Sequence, residues 1–405
     1  MKSRGYPVFT VSRKAASSVR SGHPWVYREE IRDPVECDNG ALADVIASDG
    51  AYLGTGFYSE KSKIAVRIVS DNANETFGED FWRRRVSWAV DYRLRVMGEA
   101  DFSSCRLIFG ESDGFPGFTA DRFEDLLVIQ TLSFGMDRIK DLVVRLILEK
   151  LSSLGVSVRG VYERNDVPIR ELEGLEQRKG WWSGSAPQSP ETVITENGIK
   201  YRVDVENSQK TGFFLDQKYN RRAAASICRG LSVLDVFTHT GSFGLNCAAA
   251  GAKRVTAVDV SQTAVDLARE NADLNGLGDR MEFICADAFE LLPGLVEKKR
   301  RDWDMVILDP PAFTKSRRTV DDAARGYKEI NYRAMRLLPR GGYLATCSCS
   351  HFMERRLFEG VIAAAARDAG VSLKLVEARG QGRDHPVLTG VPETDYLKFY
   401  IFQVV

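Results

Sequence analysis

Four aspartates stand at or just beyond the ends of four apolar runs in the second half of the chain, and carboxylates so placed can hold a nucleoside. The first run, Val233–Phe237, opens into Asp235-Val236-Phe237-Thr238-His239-Thr240-Gly241-Ser242-Phe243-Gly244. Gly241 and Gly244 would let backbone approach a ligand, and Asp235 can accept a hydrogen bond from an amine. The run Arg254–Asp259 ends in a carboxylate about two dozen residues further on, where both hydroxyls of a ribose can be bound. Asp287, with Ala288 beside it, follows Met281–Cys285 and can accept from an adenine amino group. Asp309-Pro310-Pro311-Ala312-Phe313 follows the fourth run. Its prolines fix the backbone and leave carbonyls without neighbouring amide donors, and its aromatic ring can cover a planar base. One such acid is commonly a helix N-cap; four together point to a nucleoside ligand. Phe237 and Thr238 stand where a dinucleotide loop needs glycine, which disfavours a nicotinamide dehydrogenase. Phe237, Thr240, Gly241 and Val260 complete the candidate cofactor set. A fifth run, Gly342–Cys347, leads to Thr346-Cys347-Ser348-Cys349-Ser350. By burial preference alone, either cysteine would be a small core residue.

Positioning these groups requires a particular architecture. After about residue 215 apolar strands alternate with helices, with helices expected from Ser242, over Thr263–Leu274 and after His351. That pattern predicts a parallel sheet covered on both faces, with ligands beyond the carboxyl ends of its strands. Leu373–Ala378 and Tyr396–Val404 have no helix between them and predict a terminal antiparallel pair. Upstream, residues 1–75 read as a small β unit, with strands over Ala41–Ala47 and Lys63–Val69 and a short helix over Val11–Val19. Helices are expected over Glu79–Met97 and Asp137–Leu151, and a strand over Leu126–Leu132. Val193–Val205 reads as a hairpin turning at Asn197-Gly198, and Gly180–Glu191 as a loop. Three domains follow, over 1–75, 76–205 and 206–405.

Composition narrows the function classes. A chain of 405 residues exceeds a usual single core, and 44% hydrophobic with 28% charged residues is ordinary for a globular protein. No apolar run is long enough to span a bilayer, and Met1–Gly5 lacks the apolar stretch of a secretion signal. The seven cysteines are odd in number and lack zinc-ligand spacing with nearby histidines, so no metal is expected and a reducing cytoplasm is. The 56 basic and 56 acidic residues cancel, which argues against a nucleic-acid coat protein. RNA remains open as a substrate, because phosphate contacts need only a local basic surface. Basic clusters lie at Arg4, Arg13, Lys14 and Arg20, at Lys298–Arg301, and at Lys315, Arg317 and Arg318; the plain reading of each is a solvated face.

Residues 215–350, with the strand-end acids and Asp309-Pro310-Pro311-Ala312-Phe313, resemble a class I S-adenosylmethionine (SAM)-dependent methyltransferase domain, a Rossmann-like α/β fold. The resemblance extends over nearly the whole chain. Ser21-Gly22-His23-Pro24-Trp25-Val26-Tyr27, Gly110–Arg122, Lys210–Arg221, Asp384-His385-Pro386 and Pro392–Lys398 are similar to segments of the RlmI-type bacterial 23S rRNA cytosine-5 methyltransferases. The resemblance implies a PUA-like RNA-binding β-barrel first, an α+β middle domain, then the catalytic domain. It implies SAM as cofactor and 23S rRNA or an assembling large subunit as partner, in the cytoplasm. A homodimer is compatible with the sequence and not specified by it.

The resemblance also implies a chemistry. Carbon 5 of cytosine is a poor nucleophile, but a thiolate adding to carbon 6 makes it enamine-like and able to attack a methyl sulfonium. A base then removes the carbon-5 proton and the thiol is eliminated. The family's Ser-Cys-Ser maps this nucleophile onto Cys349; Cys347 occupies a variable position. Asp309 would hydrogen-bond ring nitrogen 3, Phe313 would pack on the base or on the methionine part of SAM, and Pro310 and Pro311 would shape the base site. By charge alone, and not by the resemblance, Lys315, Arg317 and Arg318 would meet phosphates. Lys210, Phe214 and Asp216 would close over the cofactor, and His239 would pack in its loop. Alternatives are an rRNA guanine methyltransferase, from which Cys349 discriminates, and a nonenzymatic SAM-binding RNA or ribosome-assembly factor.

Overall fold

A computed structural model describes residues 4–182, 189–314 and 316–405. Part of the loop expected over Gly180–Glu191 lies outside these residues, as does Lys315. The chain divides into two compact units, one of Met1–Ile194, Val203–Leu215 and Arg383–Thr394 and the other of Thr195–Arg202, Asp216–Gly382 and Asp395–Val405.

The second unit is the alternating one. Its strands are β1 (Ser232–Val236), β2 (Arg254–Asp259), β3 (Met281–Cys285), β4 (Met305–Leu308), β5 (Tyr343–Ser348), β6 (Leu373–Arg379) and β7 (Lys398–Val404), in spatial order β3-β2-β1-β4-β5-β7-β6. Strands β1 to β5 run parallel, while β7 pairs antiparallel with both β5 and β6. The winding direction reverses at β1, which pairs with β2 on one side and β4 on the other. A crevice therefore opens beyond the carboxyl ends of β1 and β4, where the Asp235 loop and Asp309 lie.

Its helices are α1 (Lys218–Ile227), α2 (Ser242–Ala249), α3 (Gln262–Leu274), α4 (Ala288–Glu297), α5 (Val320–Leu337) and α6 (Arg355–Ala369). Leu234, Val236, Val306, Leu308 and Leu344 of the sheet are fully buried against Tyr327 and Ile330 of α5 and Phe358 of α6. Continuous apolar strands are what a sheet covered on both faces requires. On α1, Arg221 Nη1 lies 3.0 Å from Glu196 Oε1, with both side chains all but inaccessible. Replacing Arg221 by Met takes the cation from a buried ion pair, and should cost about 3–5 kcal/mol in equilibrium denaturation. A loss below about 1 kcal/mol would show that the pair carries no such weight.

The first unit holds two five-stranded sheets. One orders Val8–Val11, Leu42–Ala47, Tyr52–Tyr58, Ile64–Ser70 and Trp25–Tyr27, around Phe9, Val11, Val26, Val45 and Val66. The short helix expected over Val11–Val19 is Arg13–Arg20, because the Ser12 hydroxyl accepts from Ala15 N and caps it there. The other sheet orders Arg178–Trp181, Gly160–Asn165, Leu126–Thr131, Phe118–Phe123 and Ser104–Phe109, and shares a core with helices Glu79–Met97 and Phe134–Ser153. Strands Glu191–Glu196 and Ile199–Asp204 form the expected hairpin, with Asn197 and Gly198 at φ of 54° and 82°.

Two segments distant in sequence meet in this unit. Arg93 makes a bidentate pair with Asp113 at 2.6 and 2.7 Å and donates to Asp384 O at 2.8 Å. Arg106 N donates to Asp384 Oδ2 at 3.0 Å, and Ser112 Oγ to Pro386 O at 2.7 Å. Asp384-His385-Pro386 and Gly110–Arg122, both singled out in the sequence, are thus joined by a partly buried set of polar contacts. Among the described residues no helix is long and apolar enough to cross a membrane.

Candidate active site

The loop leaving β1 is strained. Phe237 and His239 adopt φ of 66° and 50°, ahead of Gly241 at 81°. Side-chain-bearing residues in this region cost about 1–3 kcal/mol each and persist only where their surroundings hold them. The surroundings are explicit. Thr238 N donates to Val258 O at 2.9 Å and His239 N to Asp259 Oδ2 at 2.9 Å. Asp235 Oδ2 accepts from Thr238 Oγ1 and, at 2.8 Å, from Gly244 N, tying both ends of the loop to one oxygen. A Cβ at Gly244 would come 3.0 Å from that oxygen, so glycine serves the approach here.

The other Asp235 oxygen, Oδ1, is buried without a hydrogen-bond partner, and so is Thr240 Oγ1. Burial pushes the Asp235 carboxyl up to about 7; Thr238 and Gly244 pull it down, and Asp309 and Asp259 push it further up. Orphaned buried acceptors in a strained loop are costly, and a ligand amine is the kind of group that would satisfy them. Asp259 is half-buried, and its Oδ1 accepts from Ser261 N at 3.0 Å. Each of its oxygens keeps a second lone pair. Val260 beside it is 68% exposed, an unusual state for valine at a strand end. Asp287 caps α4, accepting from Phe289 N at 2.7 Å, while Ala288 is buried. These residues fit a nucleoside bearing an amino-acid tail.

Across the switch point, Asp309 follows β4. Gln217 Nε2 donates to its Oδ1 at 2.8 Å, Asn220 Nδ2 donates to Gln217 Oε1 at 2.6 Å, and Asn220 also reaches Gly380 O at 3.1 Å. Part of Asp309 stays accessible, yet the dense protein around the carboxyl pushes it up to about 6. Desolvation leads and the Asp216 charge adds to it; Arg221, Cys347 and Gln217 pull the other way. Asp216 is itself buried and accepts from Tyr396 Oη at 2.6 Å.

The two thiols at the end of β5 differ. Cys347 is fully buried, and burial, with the charge of Asp309, pushes its thiol well above the ordinary range. Cys349 is partly exposed, with Sγ 4.0 Å from Pro310 O. Tyr327 of α5 fixes the residues on either side: Ser348 Oγ donates to Tyr327 Oη at 3.0 Å, and Tyr327 Oη lies 3.1 Å from Ser350 Oγ. Burial raises the Tyr327 phenol to about 12, so it stays neutral. The Phe313 ring leans on Tyr327 at 4.5 Å between centroids and lies 5.7 Å from Phe289.

Pro310 is buried and Pro311 exposed, and Arg317 and Arg318 sit exposed in the turn Arg317–Thr319. Lys210 and Phe214 belong to the first unit, where the Lys210 ammonium stands 4.5 Å from the Phe214 ring centroid. The structure adds Gln217, Asn220, Tyr327 and Lys398, to which the sequence reading assigned no roles. Gln217, Asn220 and Lys398 fall inside segments it had singled out; Tyr327, mid-helix, carries no local signal.

Comparison with known proteins gives this geometry its family. Residues 168–402 match the model of S-adenosylmethionine-dependent methyltransferases, and residues 9–71 that of PUA-like domains. "Ribosomal RNA large subunit methyltransferase I" of Aeromonas salmonicida is 40% identical over 396 residues, covering 96% of this chain and 97% of that one. The protein of the same name from Shewanella denitrificans is 42% identical over 390 residues, covering 96% of each. Among solved structures, one described as "a putative methyltransferase complexed with SAH" superposes with a TM-score of 0.83 at 20% identity, over 98% of this chain and all of that one. The strained loop with its orphaned acceptors, the PUA-like start and these end-to-end relatives converge, and the chain belongs to the S-adenosylmethionine-dependent methyltransferases, in the family of ribosomal RNA large subunit methyltransferase I.

Proposed function

We propose that this enzyme methylates carbon 5 of a cytosine in large-subunit (23S) ribosomal RNA in the cytoplasm, through a covalent adduct with Cys349. The observation that carries the reading is the pairing of a partly exposed cysteine, Cys349, with the Asp309-Pro310 turn, while the neighbouring Cys347 is sealed in the core. S-adenosylmethionine supplies the electrophilic methyl group. Asp235 and Thr240 receive the amino-acid end, Asp259 the ribose, and Asp287, Val260 and Ala288 the adenine, with Phe237, Gly241 and Asp216 completing the enclosure.

The substrate chemistry falls to the chain's own groups. The Cys349 thiolate forms a bond to carbon 6, and the negative charge this places on the ring is met at nitrogen 3 by Asp309. A carboxyl near 6 retains enough of its protonated form at neutral pH to donate there. Carbon 5 then attacks the methyl group; loss of its proton to a base expels the sulfur and restores the aromatic ring. Phe313, Pro310 and Pro311 shape the base pocket, and Arg317, with Lys315, takes phosphates. The division proposed is an RNA-binding module over 1–75, a central module over 76–205 and the catalytic module over 206–405.

The deciding measurement is methyl transfer from labelled SAM to large-subunit rRNA taken from a strain lacking this gene, followed by nucleoside analysis. Labelled 5-methylcytidine is expected. A methylated guanosine would overturn the cysteine chemistry while keeping the cofactor site, and no incorporation into either free rRNA or large-subunit particles would favour a nonenzymatic role.

A further inference from the structure

Lys398 opens β7 directly across from Ser348 of β5 in antiparallel register. Its side chain is buried, and its ammonium donates to Ser350 O at 2.7 Å and Tyr396 O at 2.8 Å. The ammonium is therefore hydrogen-bonded to the residue after Cys349, and the Lys398 backbone lies opposite the residue before it. An ammonium has three donors, and the two carbonyls take two of them.

Two neutral carbonyls are thin compensation for a buried charge, which ordinarily sits beside an anion. The charged and titratable groups facing Lys398 are Cys349 from the turn after β5, Asp395 from the segment before β7, and Arg355 from α6. Asp395 is exposed, so water screens its charge, and it lies 3.7 Å from a second cation, the Arg355 guanidinium. Burial lowers the Lys398 ammonium to about 8, against the raising effect of Cys349 and Asp395, so at neutral pH it keeps its proton. The group left to answer a buried ammonium is the sulfur of Cys349, once ionised.

We propose that Lys398 is the electrostatic partner of Cys349, an internal cation that stabilises the thiolate and so readies the nucleophile. This rests on the reading of Cys349 as nucleophile. Ionisation breaks the S–H bond and passes the proton to solvent; Lys398 keeps its own proton and touches no substrate atom. It is a positioning residue, and its effect should be read on the thiol itself.

The test follows iodoacetamide alkylation of Cys349 by peptide mass spectrometry from about pH 6 to about pH 10, in the full chain and in Lys398→Met and Lys398→Arg variants. In Lys398→Met the midpoint should rise by about one pH unit and alkylation at neutral pH should slow roughly tenfold, while Lys398→Arg stays near the parent. The methyl-transfer rate should fall in Lys398→Met with SAM affinity, measured by calorimetry, unchanged. Superimposable alkylation profiles in the parent and Lys398→Met overturn the proposal, even if that variant methylates slowly, because the slowing would then be structural. Should Lys398→Met fail to fold, the parent profile decides: a midpoint well below the ordinary thiol value of about 8.5 supports the pair, and one at or above it refutes the pair. Full methylation by Cys349→Ala would instead remove the nucleophile reading, a result independent of the alkylation profile.

Discussion

Cys349→Ala is expected to lower the single-turnover rate of RNA methylation by at least about 10⁴-fold, with SAM affinity unchanged. The size follows from the chemistry: without addition at carbon 6 there is no electron pair at carbon 5 able to take the methyl group, and no other residue replaces a missing nucleophile. Binding should survive because Cys349 follows β5, with Sγ 4.0 Å from the Pro310 carbonyl, while the cofactor loop leaves β1. Stability should change little, since Cys349 is partly exposed and its neighbours Ser348 and Ser350 are held by Tyr327. Cys347→Ala is the matched control. Its thiol is buried beside Asp309, so its loss should leave a cavity and disturb Asp309, with a rate loss far smaller than that of Cys349→Ala. If Cys347→Ala were the dead variant and Cys349→Ala the active one, the nucleophile would have to be reassigned. If both were active, the covalent route would be wrong.

What the sequence made legible divides along a physical line. Strands buried on both faces must be apolar throughout, so β1 to β5 stood out as runs, and the acids at their ends could be read as a set. In the first unit that signal holds for Leu42–Ala47, Ile64–Ser70 and Leu126–Thr131 but fails for others. Strands Ser104–Phe109, Phe118–Phe123 and Gly160–Asn165 carry Arg106, Asp121 and Glu163, which interrupt any apolar alternation. Folding neutralises them against partners distant in sequence, Arg106 with Asp121 at 2.7 Å and Lys140 with Glu163 at 2.9 Å. No local window shows such pairings. Tyr52–Tyr58 was hidden differently: Gly54 and Gly56 suggest a turn, yet a Cβ on Gly56 would lie 2.1 Å from Arg67 O, so the glycine serves close strand approach.

At the site the same distinction holds. Asp235, Asp309 and the cysteines are marked by their position at strand ends. The relay from Gly380 O through Asn220 and Gln217 to Asp309 joins three stretches of chain, and only the fold assembles it. Helix α5, which carries Tyr327, is amphipathic but interrupted by Gly326 and went unread beside the more conspicuous Asp-Pro-Pro turn.

Asp235→Asn should stabilise the free enzyme above neutral pH while weakening SAM binding, so the two effects of one substitution oppose each other. Burial lifts this carboxyl to about 7, above its value in an unfolded chain. The native state therefore holds the proton more tightly than the unfolded state does. The resulting stabilisation is fully present below about pH 4 and is lost as pH rises through about 7, a change on the order of 4 kcal/mol at most. Asparagine has the same shape, its carbonyl can still accept from Thr238 and Gly244, and an amide left without a partner at the Oδ1 position costs less than a carboxylate. Without ligand, the variant should melt a few degrees higher than the parent at about pH 8, and the difference should vanish near pH 4. Its affinity for SAM should fall by roughly 10- to 100-fold, the worth of one charge-assisted hydrogen bond to the amine. Saturating SAM should then reverse the order of melting, because a ligand stabilises only the state that binds it. Thermal scans at the two pH values, with and without SAM, read all of this in one experiment. A variant that is less stable at both pH values and binds SAM as the parent does would reduce Asp235 to a structural tie between β1 and its loop.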